Sequence, residues 1–288
     1  MPSHTKLPMR SDYCAILDKT EELTEEEANY YQSLIDILRW IAEMGRMDIC
    51  TEVSILSSFV ANPRKGHLEE VLRIFSYLKA HHNARVVFDP SYPELDESFE
   101  TKYDWSDFYG TQGEEHPANA PPPKGKEFIM RGYADASFGD CKLTRKSRSG
   151  FIIYLNSSPI YYYSKKQGSC EISTFGSEFI AMKQCCEYVK GLRYKLRMMG
   201  IPVNNPAYLY GDNKSVLWNT TVPESSLKRK SSSVAFHFVR EGVSKNMWRT
   251  AYIKSSHNVA DIFTKVVSSM QDRKRKIRML LYDIYPET

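Results

Sequence analysis

The segment "WSDFYGTQGEEHPANAPPPKGK" (Trp105 to Lys126) breaks the chain more firmly than anything else in it. It carries three consecutive prolines at 121–123 among Gly, Asn and charged residues. Proline lacks the backbone donor that a helix interior or a central strand requires. The stretch therefore reads as a linker over 105–125, with a unit of residues 1–104 before it and one of 126–288 after it. Charge divides at the same place: 12 Lys and Arg stand against 22 Asp and Glu before residue 126, and 27 against 13 from there on. A basic second unit suggests a polyanionic partner, of which nucleic acid is the commonest. A solvated basic surface, or a face on which the acidic first unit docks, explains the same charge.

The first unit reads as helical. Acids load the first turns of "TEELTEEEANYYQSLIDILRWIAEMG", which suits a helix dipole, and Tyr31, Leu34, Ile35 and Leu38 recur at helical spacing. Further helices are expected near Val53 to Val60 and from His67, and "ARVVFD" reads as a short strand. The acids of this unit are expected on exposed helix faces. The second unit alternates differently: strands near 128–135, 150–156 and 159–166, with an Asn-Ser-Ser turn joining the last two, then a long helix from Thr174 to Met199. Strands at 207–212 and 249–254 follow, separated by helices, and two helices starting near Asn258 and Met270 close the chain. An antiparallel hairpin followed by parallel crossovers is a mixed α/β arrangement.

Six cysteines show neither a C-x-x-C pair nor a His at zinc-site spacing, so reduced thiols and an intracellular setting, cytoplasmic or nuclear, are expected. No secretory signal and no membrane-length apolar run is present.

Four carboxylates stand out. Asp135 ends the first strand within "RGYADASFGD", Glu178 begins the long helix in "GSEFIA", Asp212 ends a strand in "YGDN", and Asp261 begins a helix in "NVADIFTK". Each has an ordinary structural explanation: a turn cap for Asp135, the helix dipole for Glu178, an N-cap for Asp212, and a capping box with Asn258 for Asp261. Together they have another. Adjoining parallel strands bring their C-terminal ends to one edge, where open α/β sheets hold ligands. Carboxylates gathered there repel unless a cation neutralises them, and hard oxygen donors select Mg²⁺ or Mn²⁺.

The order "YADAS…GSEFIA…YGDN…NVADIFTK" resembles the RNase H domain of copia-type LTR-retrotransposon polyproteins. So do "TRKSRSGFIIYLNSSPIYYYSKKQ" and "AFHFVREGV". Upstream, "YYQSLIDILRWIAEMGRMDICTEVSILSSFVANPRKGHLEEVLRIFSYLK" is similar to the region after the reverse transcriptase core. The resemblance implies an RNase H-like mixed five-stranded sheet flanked by helices, preceded by a mainly helical thumb or connection segment. It implies hydrolysis of the RNA strand of RNA–DNA hybrids, with Asp135, Glu178, Asp212 and Asp261 as both catalytic residues and ligands of two Mg²⁺ or Mn²⁺ ions. One ion would activate water and the other would stabilise the leaving 3′ oxygen. Ser137 and Asn213 are the expected 2′-hydroxyl contacts, and Arg145, Lys146, Lys165 and Lys166 the expected phosphate contacts, each with a local structural or solubility explanation beside it.

The polymerase Tyr-x-Asp-Asp hairpin and the integrase and protease motifs are missing. The chain therefore reads as a C-terminal piece of a Pol polyprotein, with the polymerase portion a possible partner. "KRKSSS" (Lys228 to Ser233) stands where the family often has Lys-His, and neither His237 nor His257 matches a product-release histidine. The competing readings are an inactive or reused RNase H-fold module that binds nucleic acid, and a protein-interaction scaffold.

Overall fold

The computed structural model describes residues 5–95, 99, 103–227, 233–267 and 269–285. Helix α1 (Glu25–Glu43) opens on a reciprocal capping box between Thr24 and Glu27 and buries Tyr31, Leu34, Ile35, Leu38 and Ala42, the stripe its periodicity predicts. Helices α2 (Cys50–Leu56) and α3 (Lys65–Ala80) pack around it. The strand expected at "ARVVFD" does not form. Arg85 instead makes an isolated antiparallel bridge with Tyr282, and Ala84 and Val86 pack against the helical core. The expectation of exposed acids also fails for three of them. Asp48, Glu52 and Glu70 are buried, and they pair with Arg46, Arg273 and Arg10. Burial of a carboxylate requires such a partner.

The second half builds one sheet from β1 (Met130–Ser137), β2 (Arg148–Leu155), β3 (Ser158–Lys166), β4 (Ala207–Gly211) and β5 (Trp248–Tyr252). The spatial order is β3-β2-β1-β4-β5. β1 to β3 run antiparallel as a meander, and β4 and β5 add parallel to β1. Asn156 makes the β2–β3 turn with φ of 54°, the left-handed conformation that asparagine tolerates.

Alternation along the strands separates two cores. Ala134, Phe151, Ile153 and Leu209 face α5 (Thr174–Met198), α6 (Lys214–Thr221) and α7 (Ser233–Ser244). Ile152 and Tyr154 face the other way, onto the 3-10 turn Val259–Phe263, α8 (Met270–Arg278) and the helices of the first half. Tyr31, Leu38, Val71 and Ile74 thus share one core with the sheet. At Gly150 a side chain would meet Phe263 at 2.7 Å, so its absence lets the 3-10 turn lie directly on β2.

The proline-rich segment is laid along the helical face. It contains the short helix α4 (Ser106–Tyr109). The buried Arg240 guanidinium lies 4.8 Å from the Trp105 ring and 4.4 Å from that of Phe236. Glu114 reaches both Arg193 and Arg197 at 2.6 Å, and the Lys124 amide donates to the Gly200 carbonyl.

Candidate metal centre

β1 and β4 pair in parallel with Tyr133 opposite Tyr210. Asp135 and Asp212 each follow two residues later, so the register alone brings them level at the sheet edge. Helix α5 starts at the same edge, with the Ser173 hydroxyl accepting from the Gly176 amide. Its second turn delivers Glu178. Ligand atoms of Asp135, Glu178 and Asp212 lie within 4.8 Å of one another, a span that one metal ion can bridge.

Asp261 comes alongside on the 3-10 turn. Asn258 secures that turn: its side-chain oxygen accepts from the Ala260 amide and its nitrogen donates to the Ala134 carbonyl at 3.0 Å, one residue before Asp135. Thr264, on the same turn, donates its hydroxyl to Asp135 Oδ2. Asp261 itself is already engaged. Lys265 Nζ lies 2.7 Å from its Oδ1, and Lys276 Nζ holds its Oδ2. Asp261 is not among the three acids whose ligand atoms lie within 4.8 Å of one another.

The electrostatics follow from this placement. Burial raises the Asp135 carboxyl, and the charges of Asp261 and Asp212 push it further up. Glu178 is pushed up to about 10, by burial first and then by Asp135 and Asp212. Burial acts on Asp261 in the same direction, but hydrogen bonds from Lys265 and Lys276 outweigh it and hold that carboxyl below its ordinary value. Two acids kept against ionisation beside a third form a donor set short of positive charge. A hard divalent cation fits that deficit: carboxylate oxygens are its preferred ligands and its charge lets the acids ionise.

The other predicted residues fall into two groups. Arg145 and Lys146 lie on the β1–β2 loop, and Lys165 and Lys166 end β3, whose Lys166 is in register with Arg148. All four are carried to the edge that holds Asp135. Ser137 pairs with Arg148 across that edge, and its hydroxyl is buried without a partner. Asn213 is occupied as the N-cap of α6, where Oδ1 accepts from the Ser215 and Val216 amides. His237 hydrogen-bonds to the Tyr109 hydroxyl at 2.8 Å. Residues 228–232 of "KRKSSS" lie outside the described residues.

Sequence reasoning did not single out Thr264, Lys265 or Lys276 as parts of the site. Thr264 and Lys265 stand inside the quoted "NVADIFTK", so a search for partners of its acid would have found them. Lys276 gave no signal, because it lies in the run "RKRKIR", which reads as solvated charge.

A mixed sheet in this order, with helices on both faces and acids at the ends of adjoining parallel strands, is an RNase H-like fold. Over most of its length the chain is homologous to retrovirus-related Pol polyproteins of copia-type transposons. It is 24% identical over 238 residues to the polyprotein of transposon RE1 from Arabidopsis thaliana, covering 83% of this chain. It is 25% identical over 247 residues to that of transposon TNT 1-94 from Nicotiana tabacum, covering 84%. The chain spans only 14% and 16% of the length of those two relatives. No family model matches it. Among solved structures, LC11-RNase H1 in complex with an RNA/DNA hybrid is similar at 13% identity and a TM-score of 0.38, covering 47% of this chain and 93% of that one. No helix among the described residues is long and apolar enough to cross a membrane.

Proposed function

We propose that the chain is the RNase H segment of a Pol polyprotein, a metal-dependent endoribonuclease that hydrolyses the RNA strand of RNA–DNA hybrids. The observation that carries this reading is the convergence of Asp135, Glu178 and Asp212 within 4.8 Å, at the sheet edge to which the fold also brings Asp261. Residues 126–288 form the RNase H-like unit, 105–125 the linker, and 1–104 a mainly helical remnant of the reverse transcriptase thumb or connection region.

Asp135, Glu178 and Asp212 would hold Mg²⁺ or Mn²⁺, with Asp261 completing the acid set for the two-ion arrangement the sequence resemblance implies. Bound there, divalent ions supply charge for an attacking water and for a leaving 3′ oxygen. The protein's own part is positional. Thr264 fixes the rotamer of Asp135, and the Ala136 backbone donates to Glu178. Arg145, Lys146, Lys165 and Lys166 draw the phosphate backbone across the edge, contributing affinity without sequence preference. Ser137, at the end of β1 two residues beyond Asp135, is the proposed contact to a ribose 2′-hydroxyl, the group that distinguishes RNA from DNA.

The test compares RNA–DNA hybrid, double-stranded RNA and double-stranded DNA as substrates of the full chain, with Mg²⁺, with Mn²⁺ and with chelator. The proposal expects cleavage of the hybrid alone, ended by the chelator. Binding of the hybrid without cleavage under any condition would instead support a nucleic-acid-binding module that has lost its chemistry.

A further inference from the structure

Helix α2 belongs to the first half, yet two of its hydroxyls leave that half. Ser57 and Ser58, just past its end, donate to carbonyls four residues back, as helical hydroxyls commonly do. Thr51 and Ser54 reach across to the sheet unit. Ser54 donates to the Ser164 carbonyl of β3 at 2.8 Å. Thr51 is 1% exposed, donates to the Ile262 carbonyl at 2.5 Å and has the Ser164 hydroxyl 3.3 Å away.

Ile262 follows Asp261 on the 3-10 turn, and Thr264, which donates to Asp135 Oδ2, comes two residues later. On one side the turn is tied to β1, through Asn258 and the Ala134 carbonyl. On the other it is tied to α2, through Thr51. Between these anchors Phe263 lies on Gly150 and stacks with the Tyr162 ring at 5.8 Å. The Tyr162 hydroxyl in turn donates to the Ala42 carbonyl of α1. Asp261 directly, and Asp135 through Thr264, thus take their positions from a segment that the first half holds at one end. A buried carbonyl that loses its donor either shifts or stays unsatisfied, and a shift at Ile262 reaches both acids.

We infer that Thr51 is a positioning residue for the acid site, which makes the first half a working part of the proposed nuclease and not a tether beside it. The inference rests on the reading of these acids as a hydrolytic centre. A first half that only gripped the hybrid would act on substrate binding. Thr51 bonds the turn that carries Asp261, so its effect falls on the chemical step.

The experiment measures kcat and KM for hybrid cleavage by the full chain in Mg²⁺ and in Mn²⁺, with thermal melting beside them. Wild type is compared with Thr51→Val, which keeps the shape and removes the donor, and with Thr51→Ser, which keeps the donor. Glu114→Gln is the control for lost stability, because Glu114 meets α5 at Arg193, roughly 22 Å along the helix from Glu178. Thr51→Val is expected to lose about tenfold in kcat with KM within about twofold of wild type. Thr51→Ser is expected to recover kcat to within about threefold, and Glu114→Gln to melt lower while keeping kcat within the same margin. A Thr51→Val kcat within about threefold of wild type, a rise in KM as large as its loss of kcat, no recovery in Thr51→Ser, or an equal loss in Glu114→Gln would overturn the inference and leave the nuclease standing. Absence of cleavage by wild type in either metal would overturn both. Should Thr51→Val fail to fold, Thr51→Cys, whose thiol is a weak donor, takes its place with the same expected outcomes.

Discussion

Asp135 is 4% exposed, yet it faces Asp212 and Glu178 at metal-ligand distance, an arrangement that no packing requirement explains. Without a cation, the raised carboxyls of Asp135 and Glu178 retain protons that the unfolded chain has released. Above the ordinary carboxylate pKa of about 4, the folded state then binds more protons than the unfolded one, and stability falls as pH rises toward the raised values. A divalent ion binds the ionised acids and removes that loss. Melting scans with and without Mg²⁺ are therefore expected to show a larger upward shift at pH 8 than at pH 5. Equal shifts at both would mean that the ion is bound elsewhere.

Among the elements, the proline-rich segment departs most from what composition suggests. Its prolines do exclude regular structure around 121–123, but Glu114 fastens it to α5 through Arg193 and Arg197. Those guanidiniums hold the Glu114 carboxyl down at about 2, with burial opposing them. A depressed carboxylate contributes stability that is complete above its unfolded pKa and lost as pH falls through the folded value. Glu114→Gln is thus expected to cost about 3 kcal/mol at pH 7 by denaturant unfolding, with the difference from wild type closing toward pH 2. The same contrast shows how far the sequence was legible. Strand and helix order, the long helix and the acids at strand ends follow from local periodicity and chain punctuation, which act over a few residues. The failed strand at "ARVVFD", the buried Glu52–Arg273 pair and the Lys276–Asp261 contact depend on partners 15 to 221 residues away. Periodicity carries no record of those partners, so an acid bound for the interior looked like one on a helix face.

For the whole molecule, the arrangement has one side of the sheet sharing its core with the N-terminal helices and the other covered by α5, α6 and α7. The free edge carries the acids together with Arg145, Lys146, Lys165 and Lys166. If that edge tracks a phosphate backbone, the double substitution Lys165→Ala/Lys166→Ala should weaken hybrid binding equally for all sequences. It should also reduce the slope of log affinity against log salt by about 2. An unchanged slope would place the nucleic acid elsewhere. The most direct test of the central claim is cleavage of a hybrid labelled separately on its RNA and DNA strands, by wild type and by Asp135→Asn, in Mg²⁺. The account predicts that wild type cuts the RNA strand only and that Asp135→Asn, still folded and still binding the hybrid, cuts neither. Equal cleavage by the two proteins, or cleavage of the DNA strand, would contradict it.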